Sequence, residues 1–355
     1  MKVLTAILRQ VRTGLFSTAL TLAVLTLPIG CKSNRTGKIM TVTGPVRPAD
    51  MGVALSHEHV LVDFTGRDGI AESRTNPDSA AAVILPHLIR LKDLGCRTLV
   101  ECTPAFLGRD PALLLRLSKA SGLSILTNTG YYAAMDNRYL PLSFYREDAD
   151  RISRRWTDEW RHGIGGTGVR PGFIKIGLPP GPLSVTHRKL VRAAALTHLR
   201  TGLAIASHTG PAAGAFDQIE ILREEGVDPS AWIWVHAQAE ANSNALVTAA
   251  RLGAWISFDD IGWVPPDSLI PRLKALKDRG YLDRVLLSQD AGWYSVGQPG
   301  GGKYRGHDAI LTEFIPALEK AGFSEASIRA MMTDNPAAAY EIRVRRPGFV
   351  SHWRK

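Results

Sequence analysis

Cysteine is scarce in this chain: three among 355 residues, and one of them, Cys31, closes an N-terminal apolar stretch. Cys96 and Cys102 are separated by a turn and a rising strand, which would hold them too far apart to bridge, so no disulfide framework is predicted. A nucleic-acid footprint is also missing. The net charge is +10, but basic residues are scattered and nowhere interleave with aromatics as a stacking groove requires. The clusters at Arg151–Arg161, Arg343–Arg346 and Arg354-Lys355 read as solvated faces and a basic C-terminal tail over residues 341–355. No nucleic-acid partner is expected. No Gly-rich dinucleotide loop follows the first strand-like run, and no linker divides the chain after residue 53, which argues against a second domain.

The N-terminus has what an export signal needs: Lys2, Arg9 and Arg12, then an apolar run from Leu15 to Ile29, then Gly30-Cys31. Residues 1–31 are therefore expected to direct export. Leu27-Pro-Ile-Gly-Cys31 also resembles a bacterial lipoprotein processing box, departing from it at Pro28. On that reading Cys31 tethers a periplasmic chain to a membrane. Residues 32–52 form a Pro-bearing lead-in, expected as a small hairpin under the main domain.

From Val53 to about residue 340 the pattern is strand, loop and helix, repeated. Apolar strands are predicted at 53–56, 98–102, 124–127, 173–176, 203–207, 232–235, 255–258 and 285–288. Helical stretches such as 80–94, 111–121, 187–200 and 242–252 alternate with them, several ending at a glycine suited to a helix C-terminus. Strands alternating with helices imply parallel pairing, and eight such units suit an α/β fold of the (β/α)8 TIM-barrel type. A doubly wound open sheet is the alternative.

Function on such barrels gathers at the C-terminal strand ends, and ionisable residues stand there. Strand one ends in His57-Glu-His59, two imidazoles on one face of a strand that can converge on a single cation. Strand four carries Lys175 between isoleucines, strands five and six end at His208 and His236, and strand eight reaches Asp290. Each has a plainer reading: a turn histidine at 208, a core histidine at 236, a capping Asp290. For Lys175 the plain reading is a salt bridge to a nearby acid. The alternative is chemical. Burial favours the neutral amine, which reacts with carbon dioxide to give a carbamate that can bridge two metal ions.

At this point the chain resembles the amidohydrolase superfamily, and within it the phosphotriesterase family with its lactonase-like relatives. The resemblance rests on Leu55-Ser-His-Glu-His59, Phe173-Ile-Lys-Ile-Gly177, Ser207-His-Thr209, Arg223-Glu-Glu-Gly-Val-Asp-Pro229, Gly280-Tyr-Leu-Asp283 and Thr333-Asp-Asn-Pro336, and runs from about Gly44 to Tyr340. It implies two divalent metal ions, zinc being the usual assumption. His57, His59 and Asp290 would bind the more buried ion, and His208 and His236 the more exposed one, with carboxylated Lys175 between them. A hydroxide bridging the metals would attack an ester, lactone or phosphoester bond of a small-molecule substrate while Asp290 accepts its proton. A homodimer is a further implication. Substrate contacts are expected from Tyr132, which matches a tyrosine of the lactonase-like branch, from Asp260, where that branch carries arginine, and from Trp293 in the Gly-rich loop after Asp290. The rival readings are a mononuclear deaminase-like enzyme and a non-catalytic, ligand-binding surface lipoprotein.

Overall fold

The computed structural model describes residues 37–66 and 76–348; the expected export signal and Cys31 lie outside them. Two short strands, β1 (Ile39–Thr41) and β2 (Gly44–Val46), form the antiparallel hairpin foreseen for the lead-in. The barrel strands follow: β3 (Ala54–Val62), β4 (Thr98–Glu101), the halves β5 (Ser124–Leu126) and β6 (Asn128–Thr129), and β7 (Phe173–Gly177). Then come β8 (Ile205–His208), β9 (Trp232–Val235), β10 (Trp255–Phe258), β11 (Val285–Leu287) and a short extra strand, β12 (Gly292–Ser295). All barrel pairings are parallel, in the orders β12-β3-β4-β5 and β6 through β11. The third strand is split at Thr127, whose carbonyl accepts from Gly172 N–H at 2.7 Å. Between β11 and β3 the ring is joined by Asp290 N–H donating to His57 O at 3.1 Å and Ser56 Oγ donating to Leu287 O at 3.2 Å. The architecture is the expected (β/α)8 barrel.

Local chemistry explains the helices between the strands. The helix Pro111–Ser121 shows the rule: Asp110 caps it by accepting from Leu113 N–H, Pro111 opens it, and Gly122 at φ 70° stops it. Its Leu113, Leu114 and Leu117 are buried against the barrel, each contributing about 1.5–3 kcal/mol. A second apolar cluster fills the barrel's interior and floor, where Ile39, Met51 and Tyr340 close it from below. Ile342 N–H bonds to Lys38 O and Arg343 N–H to Gly202 O, so the tail expected from residue 341 is strapped to the floor over its described part. Cys96 and Cys102 are buried and unpaired.

One boundary differs from expectation in a way that matters. The His57–His59 pair was predicted to end its strand, but β3 runs on to Val62 and all nine of its residues are buried. The extension exists because β12 arrives from the far end of the chain and pairs with it, Gly292 opposite His59.

Candidate metal centre

A single cavity of about 120 Å³ opens at the C-terminal ends of the strands, and His57, His59, Lys175, His208, His236 and Asp290 all line it. Strand parity brings the first two together, with their Nε2 atoms 3.3 Å apart. Asp290 Oδ1 lies 3.1 Å from His59 Nε2 and 3.6 Å from His57 Nε2. The ligand atoms of His57, His236 and Asp290 fall within 4.8 Å of one another. The ring centroids of His208 and His236 are 4.4 Å apart, and those of His57 and His236 5.1 Å. Five strands thus deliver six donors to one space.

The backbone is bent to achieve this. His236 and Asp290 adopt φ values of 60° and 48°, a left-handed region costly for non-glycine residues. Close approach also dictates two glycines. A Cβ on Gly130 would lie 1.9 Å from Lys175 O, and one on Gly292 would lie 1.6 Å from His59 O.

Burial and neighbouring charge set the protonation states. Burial, reinforced by Lys175, pushes the His57 imidazole down to about 4, so it is neutral and ligand-competent at neutral pH. The same burial, with His236 and Lys175, holds His208 well below its ordinary value. Burial alone would raise Asp290, but the His59 and His57 imidazoles facing its carboxyl hold it well below the usual carboxylate range.

Whether these residues suit a metal is tested by what they lack. Asp290 Oδ1 is buried without a hydrogen-bond partner, although two imidazole nitrogens face it. Lys175 is 1% exposed, and among the described residues no carboxylate pairs with it. An unpaired buried ammonium is expensive, which removes the salt-bridge reading. Nitrogen and oxygen donors with unsatisfied lone pairs around one small cavity are the donor set that zinc-type ions favour. The residues fit.

Sequence reasoning missed the groups that hold these side chains in place. Asp259, fully buried, accepts from His236 Nδ1 at 2.6 Å, His236 N at 3.1 Å, Gln238 Nε2 at 2.8 Å and Ser257 Oγ at 3.1 Å. Its Oδ2 also stands 3.4 Å from His57 Nδ1. Burial opposes the charge on both partners, yet the pairing wins: Asp259 is held well below its ordinary range and His236 is raised. Thr103 Oγ1 fixes His59 through Nδ1 at 2.7 Å. The cue in the sequence was the Asp259-Asp260 pair itself.

Of the expected substrate residues, Tyr132 lines the cavity with its hydroxyl 3.3 Å from both ring nitrogens of His208. Trp293 lines it too. Its ring lies 4.5 Å from His59 and stacks on Phe64, and its Nε1 donates to Asp290 O at 2.7 Å, so it both walls the cavity and anchors the loop. Asp260 is not in the cavity wall. The chain turns Asp259 toward His236, which leaves Asp260 facing elsewhere, with Oδ1 buried and unpartnered and its carboxyl raised to about 6 by burial and by Asp259. Phe64, Leu107 and Met135 complete an apolar mouth.

Comparison with known proteins bears on this geometry. The model of the Phosphotriesterase family matches residues 37–340. The Phosphotriesterase homology protein of Escherichia coli K12 is 32% identical over 294 residues, 82% of this chain and 98% of that one. The N-acetyltaurine hydrolase of Tetraodon nigroviridis is 29% identical over 354 residues, spanning 86% of this chain and 98% of its own length. Among solved structures, a mutant organophosphorus hydrolase from Deinococcus radiodurans aligns with a TM-score of 0.78 at 30% identity, covering 85% of this chain and 97% of that one.

Proposed function

The chain belongs to the phosphotriesterase family, and from that premise we propose that it is a binuclear metal-dependent hydrolase cleaving an ester, lactone or phosphoester bond in a small, partly apolar substrate. It is a metal-dependent hydrolase by family; the two-ion centre and the bond cleaved are the proposal. The observation that carries it is the convergence of six donors on one cavity, with Asp290 Oδ1 buried and unpartnered among imidazoles.

His57, His59 and Asp290 would hold one ion, His208 and His236 the other, and carboxylated Lys175 would be shared by both. Divalent ions there, zinc being the expected pair, supply Lewis acidity and lower the pKa of water. The protein's own groups do the rest. Asp290, kept ionised, is the base that takes the proton of the attacking water. The Asp259 carboxylate fixes the His236 ring through Nδ1, leaving Nε2 free as a donor. Burial, with Asp290 nearby, keeps the Tyr132 hydroxyl protonated, so at the cavity wall it is a hydrogen-bond donor for the substrate. Trp293, Phe64, Leu107 and Met135 exclude bulk water and suit an apolar substituent.

A mononuclear, deaminase-like centre would leave Lys175 an unpaired core cation, and its lack of an acid partner favours the binuclear reading. A hydrolase panel on metal-loaded protein tests the function: lactones, organophosphates and simple esters first, then N-acyl amides in view of the N-acetyltaurine hydrolase similarity. Turnover of an ester, lactone or phosphoester that chelation abolishes supports the proposal; none across the panel at full metal loading refutes it. Export by residues 1–31 and tethering through Cys31 belong to the same proposal, and cell fractionation with a Cys31→Ser variant checks them. Light scattering of the purified chain checks the homodimer.

A further inference from the structure

Glu58 stands between the two strand-one ligands, and alternation along the strand turns it to the opposite side, away from the metal cavity. It is fully buried. Its Oε1 accepts from Ser288 Oγ at 2.6 Å and Gln289 N at 2.9 Å, and its Oε2 accepts from Ala291 N at 2.9 Å. Ser288 Oγ in turn accepts from His57 N at 2.8 Å. The backbone on both sides of Asp290 is therefore clamped to one carboxylate. Asp290 sits at φ 48°, a conformation that costs of order 1–3 kcal/mol and persists only where its surroundings fix it.

The clamp does not end at Glu58. His307 Nδ1 lies 2.9 Å from Glu58 Oε2, and a carboxylate oxygen only accepts, so Nδ1 carries the proton. His307 Nε2 meets the Tyr304 hydroxyl at 2.9 Å, and His307 O accepts from Gln289 Nε2 at 2.6 Å. Tyr304 adjoins Arg305, whose backbone exchanges two hydrogen bonds with Gly292, at 2.8 and 3.0 Å, to close the base of the Gly-rich loop. A continuous line of contacts runs from that loop base to the turn bearing Asp290. None of Glu58, His307 and Tyr304 touches the cavity.

We propose that Glu58, His307 and Tyr304 form a positioning chain that holds Asp290 in its metal-binding pose and ties that pose to the base of the Gly-rich loop. The proposal rests on the two-ion reading of the site. It treats the three residues as positioning residues, since none reaches the metals or a substrate. Its consequence is that metal affinity at the His57, His59 and Asp290 end of the site depends on side chains remote from the ions.

The test is a cobalt(II) titration of apoprotein followed by visible absorption, which reports ligand geometry without any substrate. His307→Ala is expected to weaken one of the two ions by about 10–100-fold and to alter the visible bands. His307→Asn, whose amide can replace the Nδ1–H donor, is expected to restore most of both. Tyr304→Phe is expected to weaken the same ion by a few-fold. Should His307→Ala fail to fold by circular dichroism, the Asn and Phe variants decide. Unchanged affinities and spectra in the folded variants, or a His307→Asn protein no better than His307→Ala, would overturn the positioning role while leaving the metal reading intact. A native chain that takes up no cobalt would overturn both.

Discussion

Replacing Asp259 with Asn keeps the shape of the side chain and removes its charge. Four donors now point at that carboxylate, the shortest being His236 Nδ1 at 2.6 Å. The donors fall two on each oxygen, His236 Nδ1 and Gln238 Nε2 on Oδ1 and His236 N and Ser257 Oγ on Oδ2, so an amide with one oxygen turns an NH2 group toward two of them. Hydrogen bonds to a charged partner are worth about 1.5–3 kcal/mol, and a buried donor left without one costs about 1–3 kcal/mol. The cheapest escape is for His236 to change tautomer or rotate, and either takes its Nε2 lone pair off the cavity. We expect Asp259→Asn to weaken metal binding at the His208 and His236 end by about 10–100-fold, the range for lost partners of ligating histidines. Competition against a chelator of known affinity measures it, with kcat/KM taken at saturating metal to separate binding from chemistry. Metal affinity within twofold of native would refute the claim that Asp259 orients the ligand, because filling space is something Asn does equally well.

Further outcomes follow from the same geometry. Asp260→Asn should leave metal content unchanged. Asp260's pKa is raised to about 6, so the folded state holds its proton more tightly, and stability falls as pH rises from 4 to 6. Removing the charge should therefore stabilise the protein by about 1 kcal/mol at pH 7, discounted for partial solvent access, with the gain gone by pH 4 in urea unfolding. Buried His198 bonds to Leu203 O and Arg345 N and has its pKa pushed down to about 4 by burial. The unfolded chain binds that proton from pH 6.5 downward, so this one group should cost the apoprotein about 2 kcal/mol on passing from neutral pH to pH 5, and His198→Gln should make the slope shallower by that amount. Gly292→Ala should disrupt β12 and the Asp290 turn, since even a methyl meets His59 O; soluble, metal-replete variant protein would contradict this.

The barrel and the gathering of ionisable residues at its strand ends were legible because both follow short-range rules. Apolar runs of four to eight residues, glycine-ended helices and polar residues at strand ends reveal the alternating units, and two-residue spacing puts His57 and His59 on one face. What stayed hidden depends on distant pairing. Glu58 looked like a spacer because its partners lie more than two hundred residues away, at Ser288, Gln289, Ala291 and His307. The continuation of β3 past His59 was invisible for the same reason, since β12 supplies it. At Asp259-Asp260 the sequence offered two adjacent acids, and the family comparison drew attention to the second; only the geometry shows that the first one reaches His236 and His57. The split of the third strand at Thr127 likewise left no mark on its apolar pattern.

The central claim is that Lys175 and five other side chains build a site for two ions. Metal content per chain, measured by plasma mass spectrometry on protein purified without chelator, tests it most directly, alongside Lys175→Ala. Two transition-metal ions in the native chain, falling to one or fewer in the variant, is the predicted result. Fewer than one ion in the native chain, or two retained in Lys175→Ala, would contradict it.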